Sequence, residues 1–286
     1  MKKVMEDFER RFAEMLTGSV LPMDEILRYV AEGKGKRLRP QLVFLCAELF
    51  GEVNETTWDT ALFVETVHTA TLIHDDVVDH SDVRRGRASV NAKWNNVSAV
   101  LAGDYLLAKA MLQLSNPEEH MILKEMLNTT MAMSEGELMQ NAECEIRNAE
   151  LLAPEANSAF RIPNSELYLD VISRKTALLF RACCMGGAMS VSSPFSVLPP
   201  IRSVSPSGFR SPFLSDFGLN LGLVFQMRDD ILDADDPATT ALAERLLPEY
   251  LDKALKALDA LAPYAINKDV LSSLRELTVF CATRNH

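Results

Sequence analysis

Hydrophobic residues return at helical spacing along almost the whole chain. In VMEDFERRFAEML, Val4, Phe8, Phe12 and Met15 or Leu16 fall on one stripe. Residues 38–50, 57–79, 92–114, 118–140, 165–190, 213–233, 241–262 and 269–282 repeat the pattern. The period is that of an α-helix, and convincing runs of the strict alternation that marks a half-buried strand are absent. Stretches 61–74 and 97–112 are apolar nearly all round, as helices at the centre of a bundle are. With 286 residues, 48% of them hydrophobic, the chain can fill a sizeable core. The expected fold is all-α: one large helical bundle with residues 1–286 as a single domain.

Charge and cysteine usage narrow the function. A net charge of −11 makes a poor general nucleic-acid binder, although local basic patches remain able to hold phosphate. The five cysteines are odd in number and form no CxxC pair. That speaks against a disulfide framework or a zinc site and fits a reducing, cytoplasmic setting. The N-terminus, MKKVMEDFERRFAEML, has no apolar core of a signal peptide. The longest apolar runs, such as LVFLCAELF, are too short to cross a bilayer, so no transmembrane segment is expected. Residues 192–212 hold five of the thirteen prolines and many serines, a loop composition. This stretch reads as a linker or as an exposed mobile loop, and helical flanks on both sides favour the loop.

Chemistry concentrates in HDDVVDHSDVRRGRAS, residues 74–89, where Asp75, Asp76 and Asp79 leave an apolar helix and Arg84, Arg85 and Arg87 follow. On a helix, positions i, i+1 and i+4 span about 100°, so the three carboxylates share a face. Like charges at i,i+4 cost about 0.2–0.5 kcal/mol per pair. The pattern recurs as RDDILD, with Asp229, Asp230 and Asp233. Two solvated acidic helix ends would look the same, but an identical repeat after two apolar helices points to a shared task. Oxygen ligands in this arrangement suit hard divalent cations that also bind phosphate oxygens. Guanidinium groups hold a diphosphate directly. A second basic patch, GKGKRLRP at 33–40, resembles a phosphate loop without the P-loop spacing. The parts together read as two anion sites, one bridged by metal and one bound by bare cations.

The combination of GKRLRP, HDDVVD followed by RRG, a mid-chain Lys-Thr pair and FQMRDDILD resembles the trans-type (E-type) polyprenyl diphosphate synthases. The similarity covers roughly residues 5–190 and 213–233, with a terminal helix at 241–283. It implies an isoprenoid-synthase bundle in which two aspartate-rich helices face each other across a central cavity. It further implies a Mg2+-dependent prenyltransferase that adds isopentenyl diphosphate to an allylic diphosphate primer, using several Mg2+ ions and acting as a homodimer. By motif matching, Asp75, Asp79, Asp229 and Asp233 are the metal ligands, with Asp76 and Asp230 supporting. Arg84 would contact the allylic diphosphate. Arg85, Lys36, Arg39 and His68 would contact isopentenyl diphosphate, and Lys175, Thr176 and Gln226 would line the allylic site. His68 also reads as an ordinary core histidine, and Lys175 needs a partner or a water route wherever it lies.

Chain length and one departure complete the resemblance. Short-chain members tend to place a bulky aromatic five residues before the first aspartate. Here that position is Ala70, next to Thr71, so a long all-trans, membrane-seeking product above C20 is expected, and the likeness to octaprenyl- and solanesyl-type members implies a quinone side-chain precursor. After Asp233 the family continues with a lysine and a long further stretch, whereas this chain has ADDPATTALAERLLPEY, an apparent gap after about residue 236. Either residues are missing from the sequence as given, or the protein lacks them together with one expected cation of the metal site. Two other functions stay open: an ionisation-type terpene cyclase, which has less need of Lys36, Arg39 and Arg85, and a non-catalytic partner subunit of a heteromeric synthase.

Overall fold

Several helices begin where a side chain satisfies a free amide of the first turn, as Asn54, Ser89, Asn95, Asp236 and Asn267 do. The computed structural model describes residues 1–33, 35–152, 165–191 and 212–285, with 143–152 as helix backbone alone. Helices α1 (Lys2–Met15), α2 (Leu21–Ala31) and α3 (Leu38–Phe50) open the chain. Asn54 then starts α4 (Glu55–Val78): its side chain accepts from the Thr57 amide at 3.1 Å, and Thr57 Oγ1 accepts from the Asn54 amide at 3.3 Å. A hairpin of β1 (Val83–Arg84) and β2 (Arg87–Ala88) follows, then α5 (Val90–Lys93), α6 (Asn96–Gln113) and α7 (His120–Leu152). Helices α8 (Ser165–Ile172) and α9 (Leu178–Val191) are joined by a π-helical turn, Ser173–Ala177. Helices α10 (Pro212–Asp233), α11 (Pro237–Leu261) and α12 (Lys268–Thr283) complete the described chain.

The all-α expectation holds, apart from the two-residue strands of the hairpin. Helix α2 goes beyond the segments read from sequence. Its signals are Pro22 in the first turn, Asp24 beside the helix amino end, and Ile26 and Leu27 on its buried side. The expected loop at 192–212 lies outside the described residues except for Pro212, which opens α10. Between α10 and α11 the chain crosses in three residues, and Asp236 caps α11 by accepting from the Thr239 amide at 3.1 Å.

The core is built on α3, α4 and α9, whose inner faces carry Leu42, Phe44, Phe63, Val67, Leu179 and Phe180. A second, smaller cluster (Tyr168, Ile172, Ala177, Leu223, Met227 and Leu242) ties α10 and α11 to the π-helical turn. Close approach is bought by glycine. A Cβ on Gly187 would run into the carbonyl oxygen of Val43, and one on Gly222 would lie 2.5 Å from the Ala177 Cα. An alanine at Gly187 would gain about 1 kcal/mol of helix propensity but lose more to overpacking against immobile backbone. Gly187→Ala is therefore expected to destabilise the fold by about 1–3 kcal/mol, read as a lower urea midpoint at unchanged slope.

Candidate active site

The first acidic cluster occupies the last turn of α4, where the helix dipole already disfavours anions. Asp76 is 3% exposed and spends its carboxylate on Arg84, whose Nε and Nη2 donate to Oδ1 at 2.8 and 2.5 Å. Asp75 and Asp79 instead line a cavity of about 1000 Å³. Burial, and next the charge of Glu137, push the Asp75 carboxyl up to about 6, against the opposing pull of Lys175.

The second cluster repeats the division at the end of α10. Asp230 takes the phenol of Tyr168 on Oδ2 at 2.6 Å and the amide of Gln226 on Oδ1 at 2.9 Å. Gln226 in turn accepts from the Thr176 hydroxyl at 2.7 Å. Asp229 and Asp233 line the same cavity as Asp75 and Asp79. Burial raises the Asp229 carboxyl, and Arg284, which donates from Nη2 to its Oδ1 at 2.6 Å, pulls the other way. Both clusters end alike: His80 and Ala234 follow the last aspartates with φ of 51° and 50°, the left-handed stop of a helix carboxyl end.

The cationic wall has its own geometry. Val83 pairs with Ala88 and Arg84 with Arg87, which leaves Arg85 and Gly86 as a two-residue turn with φ of 53° and 75°. This is the primed hairpin turn, which needs left-handed backbone at both positions. It sends Arg84 to Asp76 and brings Arg85 to Gly35 and the wall of the cavity. Arg37, left-handed at the start of α3, is bound to Glu65 at 2.7 Å and Glu9 at 2.9 Å, so it props the wall. Arg39 is half-buried, donates from Nη1 to His68 Nε2 at 3.0 Å, and leaves its buried Nε without a partner. Since arginine only donates, the acceptor is an unprotonated His68 nitrogen. Burial and the charges of Arg39, Arg85, Arg37 and Arg84 hold the His68 ring well below its usual range, so it stays neutral. Burial likewise lowers Arg39 and Arg85. Lys36 lines the cavity beside them. Two guanidinium groups pushed down by burial, together with an orphaned buried donor, fit a bound anion.

Lys175 and Thr176 reach the cavity from the π-helical turn, a one-residue excess that commonly marks functional sites. Lys175 Nζ meets Glu137 Oε2 at 2.7 Å and Gln140 Oε1 at 3.0 Å. Gly136 permits this: a Cβ there would lie 2.7 Å from the Lys175 amide nitrogen. Sequence reasoning passed over Glu137, Gln140, Tyr168 and Arg284. The signal for the first two was SEGELMQ, a glycine flanked by acids in an otherwise apolar helix; Tyr168 and Arg284 carried none. Glu137 Oε1 is buried without a partner. It lines the cavity with Asp75, Asp79, Asp229 and Asp233, an oxygen-rich and negatively charged lining of the kind a hard divalent cation takes, although among the described residues no three of these groups converge on one point. Of the two chain-length positions, Thr71 lines the cavity, whereas Ala70 is fully buried in the core.

Residues 21–241 match the polyprenyl synthetase family, and the chain belongs to it. The all-trans-nonaprenyl-diphosphate synthase (geranyl-diphosphate specific) of Rhodobacter capsulatus is 34% identical over 242 residues, 83% of this chain and 66% of that protein. The heptaprenyl diphosphate synthase component 2 of Geobacillus stearothermophilus is 34% identical over 217 residues, 74% of this chain and 58% of that protein. The chain thus spans 58% to 66% of the length of these two relatives. A polyprenyl synthase from Caulobacter crescentus, solved with calcium and isoprenyl diphosphate, superposes with a TM-score of 0.76 at 26% identity, covering 100% of this chain and 96% of that one.

The elevated Asp75 sets a pH dependence. Its carboxyl must be ionised to bind a cation, and it protonates near pH 6 rather than near the usual 3.8. Divalent-cation affinity is expected to weaken as pH falls through about 6, and Asp75→Asn to remove that step; titrations at stepped pH check both. In the cation-free chain the sign is opposite. A raised acid contributes stability below its ordinary range, and that contribution is lost as pH rises through about 6.

Proposed function

We propose that this protein is a Mg2+-dependent prenyltransferase that condenses isopentenyl diphosphate with an allylic diphosphate to give a long all-trans polyprenyl diphosphate. The observation that carries the reading is the pairing, in one cavity, of two half-committed aspartate clusters with a wall of cations. The names of the relatives, nonaprenyl and heptaprenyl diphosphate synthases, support the long product.

Asp75, Asp79, Asp229 and Asp233 would hold the cations. Bound there, the metal neutralises the charge that develops on the departing diphosphate. Asp76 and Asp230, locked by Arg84 and by Tyr168 with Gln226, keep their helix ends aimed at the cavity. Arg85, Arg39 and Lys36 bind the diphosphate of isopentenyl diphosphate, while His68, held neutral, orients Arg39 without adding a charge. The allylic C–O bond breaks, the isopentenyl double bond attacks the carbon it leaves, and a proton is lost to the released diphosphate. No protein nucleophile enters the reaction. The apolar side of the cavity, including Thr71, Leu72, Met133 and Leu138, accepts the prenyl chain.

The decisive experiment supplies purified protein with Mg2+, farnesyl diphosphate and labelled isopentenyl diphosphate and sizes the products. A ladder reaching beyond C20 is expected; no incorporation by folded protein overturns the reading and brings the partner-subunit alternative forward. Asp79→Asn is expected to cut the rate by about 10²–10⁴-fold, the scale of several kcal/mol of metal stabilisation. Thr71→Tyr is expected to shorten the product, and an unchanged ladder would count against a prenyl channel along that face.

A homodimer is part of the proposal. On α6, Val97 (68% exposed), Val100 and Leu101 (56%) at one end and Met111 and Leu112 (71%) at the other lie on one face, with exposed Asp104 and Ala108 between them. Two apolar patches on one helix face suit a second copy of the same helix about a two-fold axis. Leu101→Glu is expected to shift the species seen by light scattering from dimer to monomer.

A further inference from the structure

The last described turn of the chain is strapped onto the second acidic cluster. The Arg284 side chain is 6% exposed and lies over the Phe225 ring, 4.1 Å from its centroid. Its Nη2 donates to Asp229 Oδ1 at 2.6 Å and to the Phe225 carbonyl at 3.3 Å. The backbone is held as well: Arg228 Nε donates to the Arg284 carbonyl at 2.7 Å, and the Arg284 amide closes α12 on Phe280 at 2.9 Å. Arg284 is therefore gripped by Phe225, Arg228 and Asp229, within five consecutive positions of α10, at both its backbone and its guanidinium.

We propose that Arg284 is a positioning residue for the divalent cation at the second cluster: it fixes Asp229 through Oδ1 and leaves Oδ2 to ligate. Two features distinguish this from a counter-ion that the metal displaces. A merely electrostatic partner would swing on a free stem, whereas this one is clamped to an aromatic face and a carbonyl that a cation does not compete for. The connection after Asp233 is Ala234, Asp235 and Asp236, so the charge that steadies Asp229 comes from the far end of the chain. Outer partners that orient metal-binding carboxylates commonly matter nearly as much as the ligands.

The inference rests on the metal-binding reading of the site, and the test separates the two. Mn2+, a divalent probe with the same oxygen preference, is titrated into the full chain and its free form counted by electron paramagnetic resonance. The first cluster is removed by Asp75→Asn with Asp79→Asn, so that the remaining binding reports Asp229 and Asp233. On that background Arg284→Gln is expected to raise the dissociation constant by about 10–100-fold, and Arg284→Lys, which keeps charge but not the fork, to fall between. Unchanged or tighter binding in Arg284→Gln overturns the positioning role. Absence of Mn2+ binding in the unsubstituted chain overturns the metal reading and the inference together. In the otherwise native chain, Arg284→Gln is expected to need more Mg2+ for half-maximal turnover and to recover at saturating Mg2+. A loss that excess Mg2+ does not relieve, with the unfolding midpoint lowered, would make Arg284 a structural clasp and overturn the proposal.

Discussion

Carboxylates at the carboxyl ends of helices are in the wrong place electrostatically, and the architecture around the cavity answers that problem. Asp75, Asp76 and Asp79 end α4; Asp229, Asp230 and Asp233 end α10. At both ends the helix dipole, burial and mutual repulsion act against ionisation. The fold relieves Asp76 through Arg84 and Asp230 through Tyr168 and Gln226, and Arg284 holds one oxygen of Asp229. The remaining negative charge faces the cavity, where an external cation can finish the compensation. The opposite wall carries the mirror problem, with half-buried Arg39 beside neutral His68 and an unpartnered Nε. In the proposed function, metal and diphosphate would offset both deficits at once.

Most of the architecture was legible because it depends on periodicity. The apolar stripes located the long helices, and the repeated Asp-Asp-x-x-Asp located the two cluster ends. Composition, in contrast, says nothing about turn handedness. The RRGR segment read as three charges, while its fold is a primed turn that separates Arg84 from Arg85. The π-helical turn under Lys175 is equally silent in sequence, since SRKTA has ordinary helical composition. Ala70 shows a different limit. Counting residues back from Asp75 gives an axial distance, but the side of the helix decides what a residue touches, and there Thr71 meets the cavity while Ala70 meets the core.

Partners that come from remote sequence were the least visible. Glu137 reaches Lys175 because Gly136 lets two helices close on each other, and Arg284 reaches Asp229 from 55 positions away. Arg284 has no local motif, and Glu137 is marked only by the glycine between acids in SEGELMQ. The three-residue passage from α10 to α11 also acquires meaning only in three dimensions. It folds α11 directly onto the small cluster of Tyr168, Leu223 and Met227, so the helix that follows the second acidic motif backs the tyrosine that steadies it.

The primed turn carries a consequence for how such sites can change. Arg85 occupies left-handed backbone, a conformation that costs most residues about 1 kcal/mol and β-branched ones more. Exchanging Arg85 with Gly86 would keep every charge in the composition and the same backbone shape, yet move one cation by a residue and turn it to the other side of the ribbon. Motif searches that score basic residues alone treat the two orders as equivalent. The chirality of the chain does not: it makes the order of arginine and glycine a form of spatial addressing, by which one stereochemical choice sends Arg84 to Asp76 and Arg85 to the cavity wall.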